Sequence, residues 1–218
     1  MIMIDKLLNK KHWSAQECIE FLNVIDTYSN EEKCHYVDIA TKKLMDGGTD
    51  TDINCAESVL IYATQHYLDV SDTNNKALVY YRLGKLYECF KEDFTKAYTY
   101  YEKYALNNTI NDGSHSLLLR ALILRDDFTY SSELEKEFRM SLGEIDLGLR
   151  NDRIYEHLGS LIIAKHENDE KRIADCTTHL KNIVMGDKYF FLDLVLRKDT
   201  VPDILKVPQK VIDYINNL

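Results

Sequence analysis

The chain has 218 residues, 45% of them hydrophobic and 29% charged, with a formal net charge of −9. That balance excludes a disordered chain and gives enough length to bury a substantial core. The negative charge argues against nucleic acid as a partner, because phosphate binding needs a cationic face, and it suits a basic protein partner.

Two prolines, Pro202 and Pro208, and eight glycines leave few helix breakers, so an all-helical fold is expected. Five cysteines are scattered without a CxxC pair, and 1–11 carry no apolar leader. Both features point to a reducing, cytoplasmic setting with structural thiols. Apolar runs such as Leu117–Leu119 and Leu161–Ala164 are too short to span a bilayer, so no membrane partner is expected.

After an amphipathic lead-in over 1–12, Ser14 and Glu17 form a capping box, because hydroxyl and carboxylate satisfy opposite orphan amides. The helix they open runs to about Tyr28 with Ile19, Leu22 and Ile25 on its buried side. A second helix is expected over 31–45, ended by Gly47 and Gly48, and a third over 55–68 carrying Ala56, Leu60 and Ala63.

The clearest pattern lies in 77–107. Tyr80, Leu83, Gly84, Tyr87 and Phe90 recur at helical steps, and so do Phe94, Ala97, Tyr98, Tyr101 and Ala105. Only 91–93 separate the two sets, so the helices must fold back on each other, with Gly84 and Ala97 allowing close approach. Leu117–Leu124 lies over Tyr80–Tyr87 with Ala121 in the place of Gly84, and Tyr155, Leu158 and Gly159 repeat Tyr80, Leu83 and Gly84. The three small residues stand 37 and 38 positions apart, a period that marks stacked helix pairs. Ser131–Leu142 and Asn168–Val184 supply the second helices of the later pairs. Beyond Gly186 the period ends: 188–196 are apolar, and Pro208 opens a last helix reaching Asn216.

Tyr80, Leu83, Gly84 and Tyr87 followed by Ala97, Tyr101 and Tyr104 resemble the tetratricopeptide repeat. The segment Asp93–Ala97 with Tyr100–Lys103 is similar to the related Sel1-like repeat. Two departures are one extra residue between Gly84 and Ala97 and the lack of a proline after the pair. The resemblance implies a right-handed α–α superhelix, a solenoid of antiparallel helix pairs, with the tail as a C-terminal helical cap. The expected organisation is one helical-repeat domain over 1–218. It has an N-terminal helix in 1–30, pairs at 31–69, 76–108, 113–142 and 150–185, and the cap at 187–218.

The family also implies a concave groove for a peptide or protein, lined by set positions of each first helix. Here those positions give Tyr81, Lys85, Glu88, Leu118, Arg125 and Glu156 as partner-binding residues. Leu78, His115, Leu122, Arg153, Ser160 and Ile163 fall in the same register. The Lys and Asn set with which family members clamp chaperone C-termini is missing.

Chemistry is scarce. There is no GxxxxGK[ST], GxGxxG or HExxH motif, and no histidine lies within four residues of another. Cys176 and His179 share a helix face, but a closed zinc site needs four ligands. Glu133, Glu135 and Glu137 read as a charged outer face. The fifteen tyrosines read mainly as packing between repeats. The expectation is a non-enzymatic protein-interaction module without metal or cofactor; the alternative is an acidic immunity or inhibitor protein that neutralises a basic toxin or enzyme.

Overall fold

Ser14 and Ser29 start helices by the same device. Each hydroxyl accepts from the amide three residues on, while Glu17 and Glu32 accept from the capping serines' own amides. The computed structural model describes residues 3–66, 73–108, 113–143, 150–186 and 207–218, which form helices and short turns with no strand among them.

The chain divides into two compact units, Met1–Glu92 with Thr99–Thr109, and Asp93–Tyr98 with Ile110–Leu218. The first unit holds α1 (Met3–Leu8), α2 (Ala15–Ile25), α3 (Asn30–Gly47), α4 (Asp50–His66), α5 (Thr73–Cys89) and most of α6 (Phe94–Asn107). The second holds the first turn of α6 and α7 (Ser114–Arg125), α8 (Ser132–Ser141), α9 (Arg150–Glu167), α10 (Glu170–Gly186) and α11 (Gln209–Asn216).

In the first unit α3 and α4 pack together, and both meet α5. α2 lies on α4, and α1 touches α2 and α3. The phase of α2 differs from expectation. Cys18, Phe21 and Ile25 are buried while Ile19 is 52% exposed. Trp13 sets that phase by packing its ring 5.0 Å from Phe21, with Cys18 Sγ against the Cys55 carbonyl.

α4 begins five residues before the expected Cys55, because Thr49 and Asp52 cap it. The Thr49 hydroxyl accepts from the Asp52 amide at 3.2 Å and donates back to its carboxylate at 2.5 Å. That carboxylate, fully buried, also accepts from the Trp13 amide at 2.9 Å and lies 2.8 Å from His12 Nδ1. One acidic side chain thereby ties the segment before α2 to the start of α4.

Gly84 is buried where α5 meets α6. What approaches it is the Tyr101 ring: an added Cβ would lie 2.3 Å from Tyr101 Cε1. Gly159 is less crowded, with an added Cβ 3.0 Å from Phe138 and 3.3 Å from Leu119.

In the second unit α7 packs on α8 and α9 on α10, and both α7 and α8 meet α9. α10 starts at Glu170 and not at Asn168, which adopts a left-handed φ of 57° that ends α9. α11 packs on α10 with Val211 and Ile215 buried, and Pro208 sits just before its first turn. The apolar stretch 188–196, expected as part of the cap, lies outside the described residues.

Candidate functional site

The six residues expected to bind a partner fall three in each unit. On α5, Tyr81 is half-buried, its ring 5.6 Å from that of Tyr104, with Lys85 Nζ 5.9 Å above it. Lys85 and Glu88 are buried, at 6% and 1% exposure, and their charged groups stand 3.9 Å apart. Glu88 accepts a 2.5 Å bond from the Tyr101 hydroxyl, so α6 draws this charged pair inward. Register alone placed Lys85 and Glu88 on a groove lining; Tyr81 lies against Lys85, and Tyr101 of α6 bonds Glu88.

Beside them Arg82 Nε and Nη2 donate to Asp38 Oδ1 at 3.1 and 2.7 Å, joining α5 to α3. This ion pair borders a small cavity among Val37, Leu60, Leu78 and Val79, with room for about one water molecule. Leu78, assigned to the lining from its register, helps form that wall.

In the second unit Leu118 is buried at 4% exposure, packed as core. Leu122 and Ile163 are buried as well. Arg125, half-exposed at the end of α7, binds Asp126 and Glu133 Oε2, the latter at 3.0 Å, and lies 4.7 Å over the Tyr98 ring. Tyr98 donates to Glu133 Oε1 at 2.8 Å. Bonding to Asp126 raises the Arg125 pKa further, and the Tyr98 hydroxyl is the largest cause of the lowered pKa of Glu133.

Glu156 is half-buried on α9. His115 Nδ1 lies 2.7 Å from Glu137, and Ser160 accepts from Arg172 Nε at 3.0 Å. The Arg153 side chain lies outside the described residues.

Of the three glutamates of α8, expected as a charged outer face, Glu137 is buried while Glu133 and Glu135 stay partly exposed. Glu133 joins Tyr98 and Arg125, Glu135 joins Tyr130 and Arg139, and Glu137 is buried against His115 and Lys136. The donors come from α6 (Tyr98), α7 (Arg125 and His115), the turn before α8 (Tyr130) and α8 itself (Arg139 and Lys136).

A common pattern emerges in the tyrosines. Tyr62 donates to Asp26, Tyr87 to Glu57 at 2.6 Å, Tyr101 to Glu88, and Tyr98 to Glu133. Tyr87, Tyr98 and Tyr101 are buried rings whose hydroxyls reach a carboxylate on another helix, and the half-buried Tyr62 reaches the residue that caps α2. The sequence displays the tyrosines but not these partners, which lie 13 to 36 residues away.

Cys176 Sγ reaches the Ser160 hydroxyl at 3.4 Å, and His179 stacks on His157 with ring centroids 5.2 Å apart. No group of three or more His, Cys, Asp or Glu side chains among the described residues is placed to hold a metal ion. Burial pushes the Cys18 thiol up to about 12, which removes it as a nucleophile near neutral pH. No helix among the described residues is long and apolar enough to cross a membrane. No family model, curated protein or solved structure matches the chain.

Proposed function

We propose that this chain is a non-enzymatic, cytoplasmic interaction module of the tetratricopeptide-like or Sel1-like kind, holding a peptide or protein on the exposed faces of stacked helix pairs. The observation that supports this reading is the shared packing rule of the two units: α3 and α4 both rest on α5, and α7 and α8 both rest on α9. Helix pairs that stack this way offer broad ridged faces for recognition by scattered aromatic and charged side chains. Tyr81, Arg125 and Glu156 keep partial exposure on first helices, and they replace the buried Lys85, Glu88 and Leu118 as the contact residues of choice.

The test is affinity capture from the native source, with bound proteins identified by mass spectrometry. Tyr81→Ala and Arg125→Ala chains of unchanged circular dichroism are expected to lose the partner; full capture by both would refute these contact residues. A second reading, an immunity or inhibitor protein for a basic toxin or enzyme, is favoured by the net charge of −9. One stoichiometric basic protein in the capture would select it, and several proteins sharing a peptide motif would select an adaptor.

A further inference from the structure

The seat of α11 is built more elaborately than a helix of eight residues requires. α7 ends with its Phe128 amide bonded to the Ile123 carbonyl at 3.0 Å, an ending that needs one left-handed residue. Asp127 supplies it at φ 49°, yet Phe128 follows at φ 60°. A second left-handed residue, aromatic at that, costs on the order of 1–2 kcal/mol. The turn directs the Phe128 ring flat onto Tyr214, 4.0 Å between centroids and 6° from parallel.

Around this stack the seat is polar in a directed way. Lys210 donates to the Leu124 carbonyl at the negative end of α7 and lies 3.8 Å from Asp127. Its ammonium also stands 4.5 Å over the Phe94 ring and 5.7 Å over Phe128. Lys165 donates to the Tyr214 hydroxyl at 3.1 Å, and Val211 and Ile215 fill the apolar floor. The seat therefore reads a helix with a cation, an aliphatic residue and, one turn on, an aromatic and a second aliphatic.

We propose that this seat is a helix-binding site filled in cis by α11, and that its partner ligand is a basic amphipathic helix of the same pattern. α11 is a weak occupant in two respects. A helix of eight residues has little stability of its own, and its one lysine is offset by Asp213. A more basic helix gains from the α7 carbonyl end, from Asp127 and from the net charge of −9. This inference rests on α11, Phe128 and Asp127 and does not use Tyr81 or Glu156, so either assignment can fail while the other stands.

The experiment uses the full chain carrying Val211→Asp and Ile215→Asp, which expel α11, and a fluorescent synthetic peptide of residues 207–218. Anisotropy is expected to show binding to this variant and binding at least about tenfold weaker to the unmodified chain, whose own helix competes. Adding Phe128→Ala should weaken the peptide about tenfold. A peptide with Asp213→Lys should bind tighter at low salt, an advantage that shrinks at high salt. A variant that keeps its helical signal and does not bind the peptide overturns the proposal. If the variant unfolds, hydrogen exchange on the unmodified chain decides. α11 amides that exchange before those of α9 and α10 support a removable helix, and exchange together with them overturns it. A dimer of unmodified chains that exchange α11 would give the seat to a second copy and overturn the partner assignment.

Discussion

Replacing Gly84 with alanine adds one methyl group where the interior has no space for it. The new Cβ would lie 2.3 and 2.4 Å from two Tyr101 ring carbons, and ordinary contact begins near 3.4 Å. The ring must move about 1 Å in a close-packed interior. It is fully buried and held at its far end by the bond to Glu88. Overpacking costs about 1–3 kcal/mol, and weakening a hydrogen bond to a buried carboxylate about 1.5–3 kcal/mol. Alanine returns about 1 kcal/mol through helix propensity, so the net loss is about 1.5–5 kcal/mol. For a chain of this length the melting temperature should fall on the order of 10 °C. Gly159→Ala is the control. Its Cβ meets Phe138 at 3.0 Å and the buried Leu119 at 3.3 Å; Phe138 is half-buried and able to give way, and Leu119 is already close to ordinary contact. The propensity gain then roughly cancels the crowding, for a change within about 1 kcal/mol. Denaturant melts of both variants decide the matter. Gly84→Ala as stable as the parent, or a Gly159→Ala loss of equal size, would refute the crowding argument. Adding Tyr101→Leu should make the Gly84→Ala loss less than additive.

Two further outcomes are expected. Burial raises the pKa of Asp52, but Thr49, the Trp13 amide and His12 outweigh it and hold the carboxyl below its ordinary value. The stability this adds is present above the ordinary carboxylate pKa and is lost as the pH falls through the folded value. Asp52→Asn should cost about 2–3 kcal/mol near neutral pH, with the gap to the parent narrowing below about pH 4; a gap independent of pH would refute the carboxylate's role. Ile19→Lys should leave stability within about 0.5 kcal/mol, whereas Phe21→Ala should cost about 3–5 kcal/mol. Equal losses in thermal melts would refute the observed phase of α2.

The helices were legible because their signals are local. The Ser14–Glu17 box, Gly48 at the end of α3 and the steps of α5 and α6 each depend on residues within one or two turns. Short-range rules failed where a distant residue decided the outcome. Ile19, Leu22 and Ile25 form a plausible stripe, but Trp13 against Phe21 rotates α2 away from it. The start of α4 was hidden because Asp52 resembles a turn residue until its bonds to Thr49 and Trp13 are known. The expected site was readable least of all. A repeat register tells which face a residue occupies, but not that Tyr101 closes over Glu88 or that His115 draws Glu137 inside.

The long reach of α11 bears on the order of events during synthesis. Lys210 closes onto Leu124, 86 residues earlier, and onto Phe94, so part of the second unit's core is assembled from its last helix. The first unit takes all its residues from before position 110. A growing chain can therefore consolidate α1–α5 while the Phe128 turn still lacks Tyr214. In the interval, at the usual pace of elongation of about 5–20 residues per second, the seat on the second unit stays open to any helix within reach.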